Sequence, residues 1–321
     1  MRVSLSWLNE LVQVNEPVQE LAQRLSMAGF EEEEIDDLSA LAQGVVIGFV
    51  KEKDKHPNAD KLSVCQVDVG GPEPIQIVCG AGNVRAGIHV PVAMVGAVLP
   101  SANLTIKAGE LRGVASNGMI CSLSELGLAS DSDGIAVLDE LETDLPALGQ
   151  PVAAVLGLDD TVLDLAITAN RPDGLSMVGI AREVAALTGG ELSLPELDLV
   201  PQHEPLQTTA ESAEAMTAGG LYGISLIEAV DGSVASPAWV QRRLSRAGIN
   251  QVNAVVDITN VVMLEQGQPL HAFDADALER ITGKTVEAAS FGLRQALEGE
   301  TFTGLDDREL TLDGRAQVVT C

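Results

Sequence analysis

The sequence predicts a multidomain α+β chain in which a small five-stranded β-barrel is bracketed by helix-containing segments. Three observations lead to this. The chain has 321 residues, 46% of them apolar, enough for two or three domains at about 100–200 residues each. Its hydrophobic period becomes strand-like at Gly44 and stays so to residue 126. Its charge is segmental as well. Of a net −28, residues 1–43 carry −7, residues 127–240 carry −17 and residues 241–321 carry −4, whereas residues 44–126 balance 7 basic against 7 acidic side chains.

Residues 2–30 read as a short strand, a helix, and a second helix from Pro17 to Ala28, with proline at the first helical position and Gly29 just past the end. Glu31 to Glu34 read as a solvated acidic face rather than a metal site. From Gly44 onward, VVIGFVKEK, LSVCQVDVG, PIQIVCG, IHVPVAMVG and LTIKAG are short β-type runs separated by Pro, Gly and Asn turns. Five such strands suggest a closed barrel of the OB type, an architecture that often binds oligonucleotides. Ser116-Asn117-Gly118 reads as a device that closes the barrel, and residues 127–160 as an acidic, loop-rich return from it.

Thr161 to Thr168 then reads as a strand and Ser176 to Leu187 as a helix ended by Thr188-Gly189-Gly190. Arg171 and Asp173, in the turn between them, read as structural. Residues 191–216, rich in Pro, Glu and Thr, read as a linker. A strand (LYGISLIEAV) follows, then a helix opened by Ser236-Pro237, carrying Arg242, Arg243 and Arg246, and ended by Gly248. KTVEAASF and further strand-turn segments run to Cys321. The chain stops inside the apolar run RAQVVTC, so the last domain is expected to continue beyond it.

Composition narrows the chemistry. Met1-Arg2 is not followed by the apolar run of a signal peptide, and the longest apolar stretch, Pro91 to Leu99, is too short to span a bilayer. Cys65, Cys79, Cys121 and Cys321 form no C-x-x-C pair and the four histidines are dispersed, so neither zinc nor a disulfide framework is indicated. A reduced, cytoplasmic setting is expected. There is no G-x-x-x-x-G-K-S/T loop and no G-x-G-x-x-G after a strand, so no nucleotide-activating site is expected in these residues.

Residues 252–274, VNAVVDITNVVMLEQGQPLHAFD, look like the wall and rim of a pocket. Val252, Val255, Val256, Ile258, Val261, Val262, Met263 and Leu264 make the run apolar on nearly every side, as for a buried helix. Asp257 and Asn260, three apart within it, share a face. Unpaired, each would cost about 1–3 kcal/mol, so each should have a partner. Gly267 ends the helix, and Gln268-Pro269-Leu270-His271 follows as a stiff turn presenting an imidazole. By residue type alone, these polar groups read more readily as satisfied buried residues, with His271 as an ordinary core or capping histidine.

The run NAVVDITNVVMLEQGQPLHAFD resembles, over about twenty consecutive positions, the signature of the beta subunit of bacterial phenylalanyl-tRNA synthetases, in the domain that hydrolyses wrongly charged tRNA. Val261 stands where that family usually has an aromatic residue, a departure that touches packing. HPNADKL, IVCGAGNVRAG and LRGVASNGMICSLSELGL resemble the tRNA-binding OB module of the same subunit, which also occurs in free-standing tRNA-binding proteins. ITANRPDGLSMVGIAREVAALTG resembles the second half of its N-terminal domain.

The resemblance implies an N-terminal α+β domain from residues 1–39 and 150–190, with the OB barrel of residues 40–149 inserted in it. The linker of 191–216 and an incomplete editing domain of the B3/B4 type, 217–321, would follow. It implies tRNA(Phe) and the alpha subunit as partners in an (αβ)2 heterotetramer, with no DNA or membrane partner. ATP would be bound by the alpha subunit, and the Mg2+ ligands of the complete enzyme would lie in beta-subunit domains beyond Cys321. It also implies an editing pocket lined by Thr259, Asn260, Pro269, Leu270 and His271, with His271 near the scissile ester.

Phe49 is the one aromatic residue of the 44–126 window, so a row of stacking rings worth about 1–3 kcal/mol per base is not expected. tRNA binding should instead be electrostatic, through Lys51, Lys53, Lys55, His56, Lys61, Arg85, Lys107 and Arg112. The alternative function is a non-catalytic tRNA-binding or assembly module.

Overall fold

In a computed structural model, described for residues 1–129, 131–142, 144–194, 207–209, 222–287, 290–304 and 306–320, the chain divides into two units. The first comprises Met1–Leu194, Ala238–Gln251 and Val261–Gln268; the second comprises Pro195–Pro237, Val252–Asn260 and Pro269–Cys321.

In the first unit, β1 (Arg2–Ser4) runs directly into α1 (Leu5–Leu11), whose start is capped by the Ser4 hydroxyl accepting from the Trp7 amide. Then come α2 (Val18–Met27) and β2 (Glu31–Asp37). The acidic run is therefore a strand and more than a solvated face. Its glutamates stay partly or fully exposed, while its backbone pairs with β12 (Thr161–Ala166). Charged side chains hid a ladder that depends only on backbone groups. β12 lies between β1 and β2 in an antiparallel three-stranded sheet. α3 (Met177–Thr188), capped by Ser176 and ended by left-handed Gly189, and α4 (Ala238–Arg246) complete this part. Its core joins Val3, Leu8, Leu21, Phe30, Leu163 and Ile180 to Val240 and Leu244, which are one helical turn apart on α4.

Between β2 and β12 in the chain lies a second sheet. It is built from β3 (Val45–Lys55), β4 (Ser63–Asp68), β5 (Ile75–Cys79) and β6 (His89–Met94). Two small hairpins follow, β7 (Val98–Leu99) with β8 (Leu104–Thr105) and β9 (Gly109–Leu111) with β10 (Val114–Ser116), and then β11 (Gly118–Ile120). The antiparallel order is β11-β6-β3-β4-β5. The fifth strand is thus Gly118–Ile120 and not LTIKAG. Leu104 and Thr105 of that run are exposed and pair only with Val98 and Leu99. The true fifth strand is three residues long, too short to show a period. The Asn117 amide reaches Gln76 O at 2.9 Å and the Val78 amide reaches the Ser116 hydroxyl at 3.1 Å, so the sheet nearly closes on itself. A Cβ on Gly48 would lie 2.5 Å from Val92 Cγ2, so only glycine fits there. The return segment is more than loop: Ile135, Val137, Leu138, Val152 and Leu158 are buried in the two cores of this sheet.

In the second unit, β13 (Gln207–Thr209) pairs with β14 (Tyr222–Ile224) inside and beside the expected linker, whose residues 195–206 and 210–216 lie outside the described ones. Further on, β15 (Gly292–Gln295) pairs with β18 (Gln317–Thr320), and β16 (Thr301–Thr303) with β17 (Glu309–Thr311). KTVEAASF does not open as a strand: the Val286 amide donates to Glu279 Oε1 at 2.9 Å, which takes it out of any ladder.

Two helices remain. α5 (Ala254–Gln266) carries the 252–274 signature and ends at Gly267, φ +73. The boundary between the units falls within it. α6 (Ala275–Thr282) was not expected, although Asp274 caps its start and left-handed Gly283 its end, both legible signals. The expectation of a helix buried on every side is corrected for α5. Within it Ile258 is 48% exposed and Val255, Val256, Val262, Met263 and Leu264 are half-buried, while Asp257 and Val261 are buried. All-round apolarity requires full cover on each face, and the described residues give most of this helix only partial cover.

Candidate functional site

The basic residues of the five-stranded sheet are sorted by strand alternation and by acidic neighbours. β3 has a bulge between Val50 and Glu52, after which Lys53 pairs with Cys65 and Lys55 with Ser63, while Glu52 and Asp54 alternate to the other face. Lys51 is held by Asp68 at 2.7 Å, Lys55 by Asp60 at 2.7 Å and Arg85 by Glu140 at 3.1 Å. Lys53, Lys61, Lys107 and Arg112 are exposed and have no acidic group within ion-pair distance among the described residues. Of the predicted cations, only Lys107 lines the neighbouring cleft of about 620 Å³, with Cys79, Leu104, Ser116, Met119 and Glu125.

His56 is placed differently from expectation. It is 2% exposed. Its Nδ1 accepts from the Asn58 amide at 3.1 Å, which leaves Nε2–H to donate to Leu111 O at 3.0 Å. Both nitrogens are occupied inside the protein, so the ring is not a surface phosphate contact. A one-dimensional motif cannot tell a ring that points out from one that holds two loops together. The residue that sequence reasoning missed is Asn58, whose Nδ2 donates to Arg112 O at 3.1 Å. Its signal was its place inside HPNADKL. His89 is likewise fixed, with Nδ1 2.7 Å from Asp139 and its ring 4.9 Å from that of Phe49.

In the second unit, Asp257 has found the partners that burial demands: its carboxylate accepts from the Ser236 hydroxyl at 2.5 Å and the Val252 amide at 2.9 Å. Asn260, on the same face, is half-buried and shares neither. Thr259 donates to Val256 O within its own helix at 2.7 Å. Pro269, Leu270 and His271 are exposed after the helix end. The His271 ring lies 4.4 Å from Phe273, which meets Phe291 at 5.3 Å, so an aromatic row orients the imidazole. Burial pushes the Cys65 thiol up to about 11 and the Cys121 thiol up to about 12, and raises Cys79 as well. These cysteines are kept as inert thiols.

Residues 45–145 match the tRNA binding domain family and residues 218–321 match the B3/4 domain family. All 321 residues align with phenylalanine–tRNA ligase beta subunits: 79% identical to that of Parasynechococcus marenigrum, 71% to that of Synechococcus sp. (strain CC9605) and 66% to that of Prochlorococcus marinus (strain MIT 9313). The chain covers 39% of the length of each of these relatives. Along its whole length it is therefore similar to the N-terminal part of that subunit.

Proposed function

We propose that this chain, aligned throughout with the N-terminal part of phenylalanine–tRNA ligase beta subunits, serves that enzyme by binding tRNA(Phe) and by contributing to hydrolysis of tyrosyl-tRNA(Phe). The observation that carries the reading is 79% identity across all 321 residues, with the two family matches falling on separate segments. The nearly closed sheet is read as an OB-type barrel inserted between residues 1–39 and 150–190. The alpha subunit is the expected partner, in an (αβ)2 heterotetramer in the cytoplasm. No described helix is long and apolar enough to cross a membrane. ATP and Mg2+ belong to the ligation reaction of the complete enzyme, and no role for this chain's residues in holding them is proposed.

The physical need for editing is clear. A site shaped for phenylalanine rejects the one extra hydroxyl of tyrosine by only about 10²-fold, and a second, hydrolytic site answers the shortfall. There, water adds to the ester carbonyl and the ribose oxygen of tRNA leaves with a proton. On this reading His271 moves that proton and Asn260 orients the ester, with Thr259, Pro269 and Leu270 forming the wall; the exposure of His271 and its ring contact with Phe273 support the role given to it. The non-catalytic reading draws on one observation: the Thr259 hydroxyl is already committed to Val256 O.

In the complete αβ enzyme, His271→Ala should slow tyrosyl-tRNA(Phe) hydrolysis and leave phenylalanine activation unchanged. The loss should be about 10²–10⁴-fold if the imidazole is a general acid–base, and modest if it only orients water. Unchanged hydrolysis would favour the non-catalytic module.

A further inference from the structure

Two loops far apart in the chain form one rigid ridge on the five-stranded sheet. The first runs from His56 to Leu62 and is closed on itself, the His56 amide donating to Leu62 O at 3.1 Å and the Leu62 amide to Ala59 O at 3.2 Å. The second is the tip of the β9–β10 hairpin, where Arg112 at φ +51 and Gly113 at φ +82 form the two-residue turn that requires left-handed backbone at both positions. Two side chains tie them: buried His56 to Leu111 O, and Asn58 to Arg112 O.

These bonds fall on the carbonyls at and before the strained residue. Arginine in left-handed backbone is disfavoured relative to glycine, so a turn placed there needs support. Asn58 supplies it at Arg112 itself. The outer surface of the ridge presents the exposed and acid-free Lys61 and Arg112, while Lys55 is neutralised by Asp60.

We infer that His56 and Asn58 are positioning residues that hold Arg112 and Lys61 as a two-point clamp for the phosphates of an RNA backbone. The inference rests on the tRNA-binding reading above and assigns it a geometry. His56 contributes no contact of its own. A flexible arginine must be ordered in side chain and backbone at each encounter, whereas a turn fixed from behind has its backbone ordered in advance. Phosphate contacts, unlike base contacts, weaken binding uniformly when lost and appear in the salt dependence.

The test is binding of a tRNA(Phe) transcript to the full chain across a salt series, for Arg112→Ala, Lys61→Ala, Asn58→Ala, His56→Asn and the double variant Asn58→Ala/Arg112→Ala. Asn58 is exposed, so its truncation spares the core. The His56→Asn change keeps a side-chain acceptor for the Asn58 amide while losing the reach to Leu111. Arg112→Ala should reduce affinity about three- to tenfold and the slope of log affinity against log salt by about one. Asn58→Ala and His56→Asn should each reproduce part of both changes, and the double variant should bind no worse than Arg112→Ala alone. Wild-type binding by Asn58→Ala and His56→Asn, with Arg112→Ala still impaired, would overturn the positioning role and spare the tRNA reading. Additive losses in the double variant would overturn it equally. Unchanged binding by both Arg112→Ala and Lys61→Ala would remove the clamp, and with it this ridge as the tRNA contact.

Discussion

Arg246 Nε lies 2.9 Å from Asp160 Oδ2, and the Asp160 side chain is 1% exposed. The same carboxylate accepts from the Ser4 hydroxyl at 2.6 Å and from the Ser6 amide, the Ser6 hydroxyl and the Thr161 amide at 2.8–2.9 Å. Arg246 in turn donates to Gly157 O at 2.8 Å, and its carbonyl accepts from Arg2 Nε at 2.9 Å. One buried ion pair thus ties α4 to the start of α1 and the entry to β12. A lone buried charge is far costlier than a lone hydrogen bond, which makes the pair a single unit.

Asp160→Ala should therefore destabilise the first unit by about 3–5 kcal/mol, since it strands Arg246 and four donors. Replacing both residues together, as Asp160→Leu with Arg246→Met, should cost less than Asp160→Ala alone. Urea unfolding followed by tryptophan fluorescence measures both, because Trp7 and Trp239 flank Arg243 in this unit at 4.3 and 5.0 Å.

The four lysines of residues 51–61 should not act alike on tRNA. Lys51 and Lys55 already have carboxylate partners, so removing them frees Asp68 and Asp60 as well as deleting a cation. Lys53→Ala with Lys61→Ala should flatten the salt dependence of tRNA binding by about two units of slope. Lys51→Ala with Lys55→Ala should lower affinity with a smaller change in slope. Equal slopes for the two double variants would show that intramolecular pairing does not sort these residues.

Acid should loosen the second unit through Glu300. Arg294, at 2.7 Å from both its oxygens, holds its carboxyl down at about 2 with help from the Leu297 amide at 2.8 Å. A carboxyl depressed in the folded state stabilises it fully above the ordinary value of 4.5, and that contribution is lost as pH falls toward about 2. Amide protection factors in β15 and β16 should fall across that window, and Glu300→Gln should remove the pH dependence. Identical pH profiles for the two proteins would show that the pair does not carry it.

Much was legible one residue at a time. Ser176 and Gly189 announced the ends of α3, Gly267 the end of α5, and Ser116-Asn117-Gly118 the place where the sheet nearly closes, because caps, left-handed glycines and turn residues act over three or four positions of chain. Asp257 was correctly marked as needing a partner, since desolvation cost depends on the group and its burial alone.

What the sequence by itself determined about this protein was the families it resembles, its alternation of helical and strand segments, and the residue types on which the proposed roles rest. Only the tertiary structure decided which of them are free to act. His56 turned inward to Leu111, Lys51 and Lys55 were neutralised by Asp68 and Asp60, and a three-residue strand at Gly118 displaced LTIKAG as the fifth of the sheet. Each of those outcomes rests on a contact between residues that folding brings together from separate positions of the chain. A hydrogen bond or ion pair depends on distance in space, which no local pattern of residues encodes.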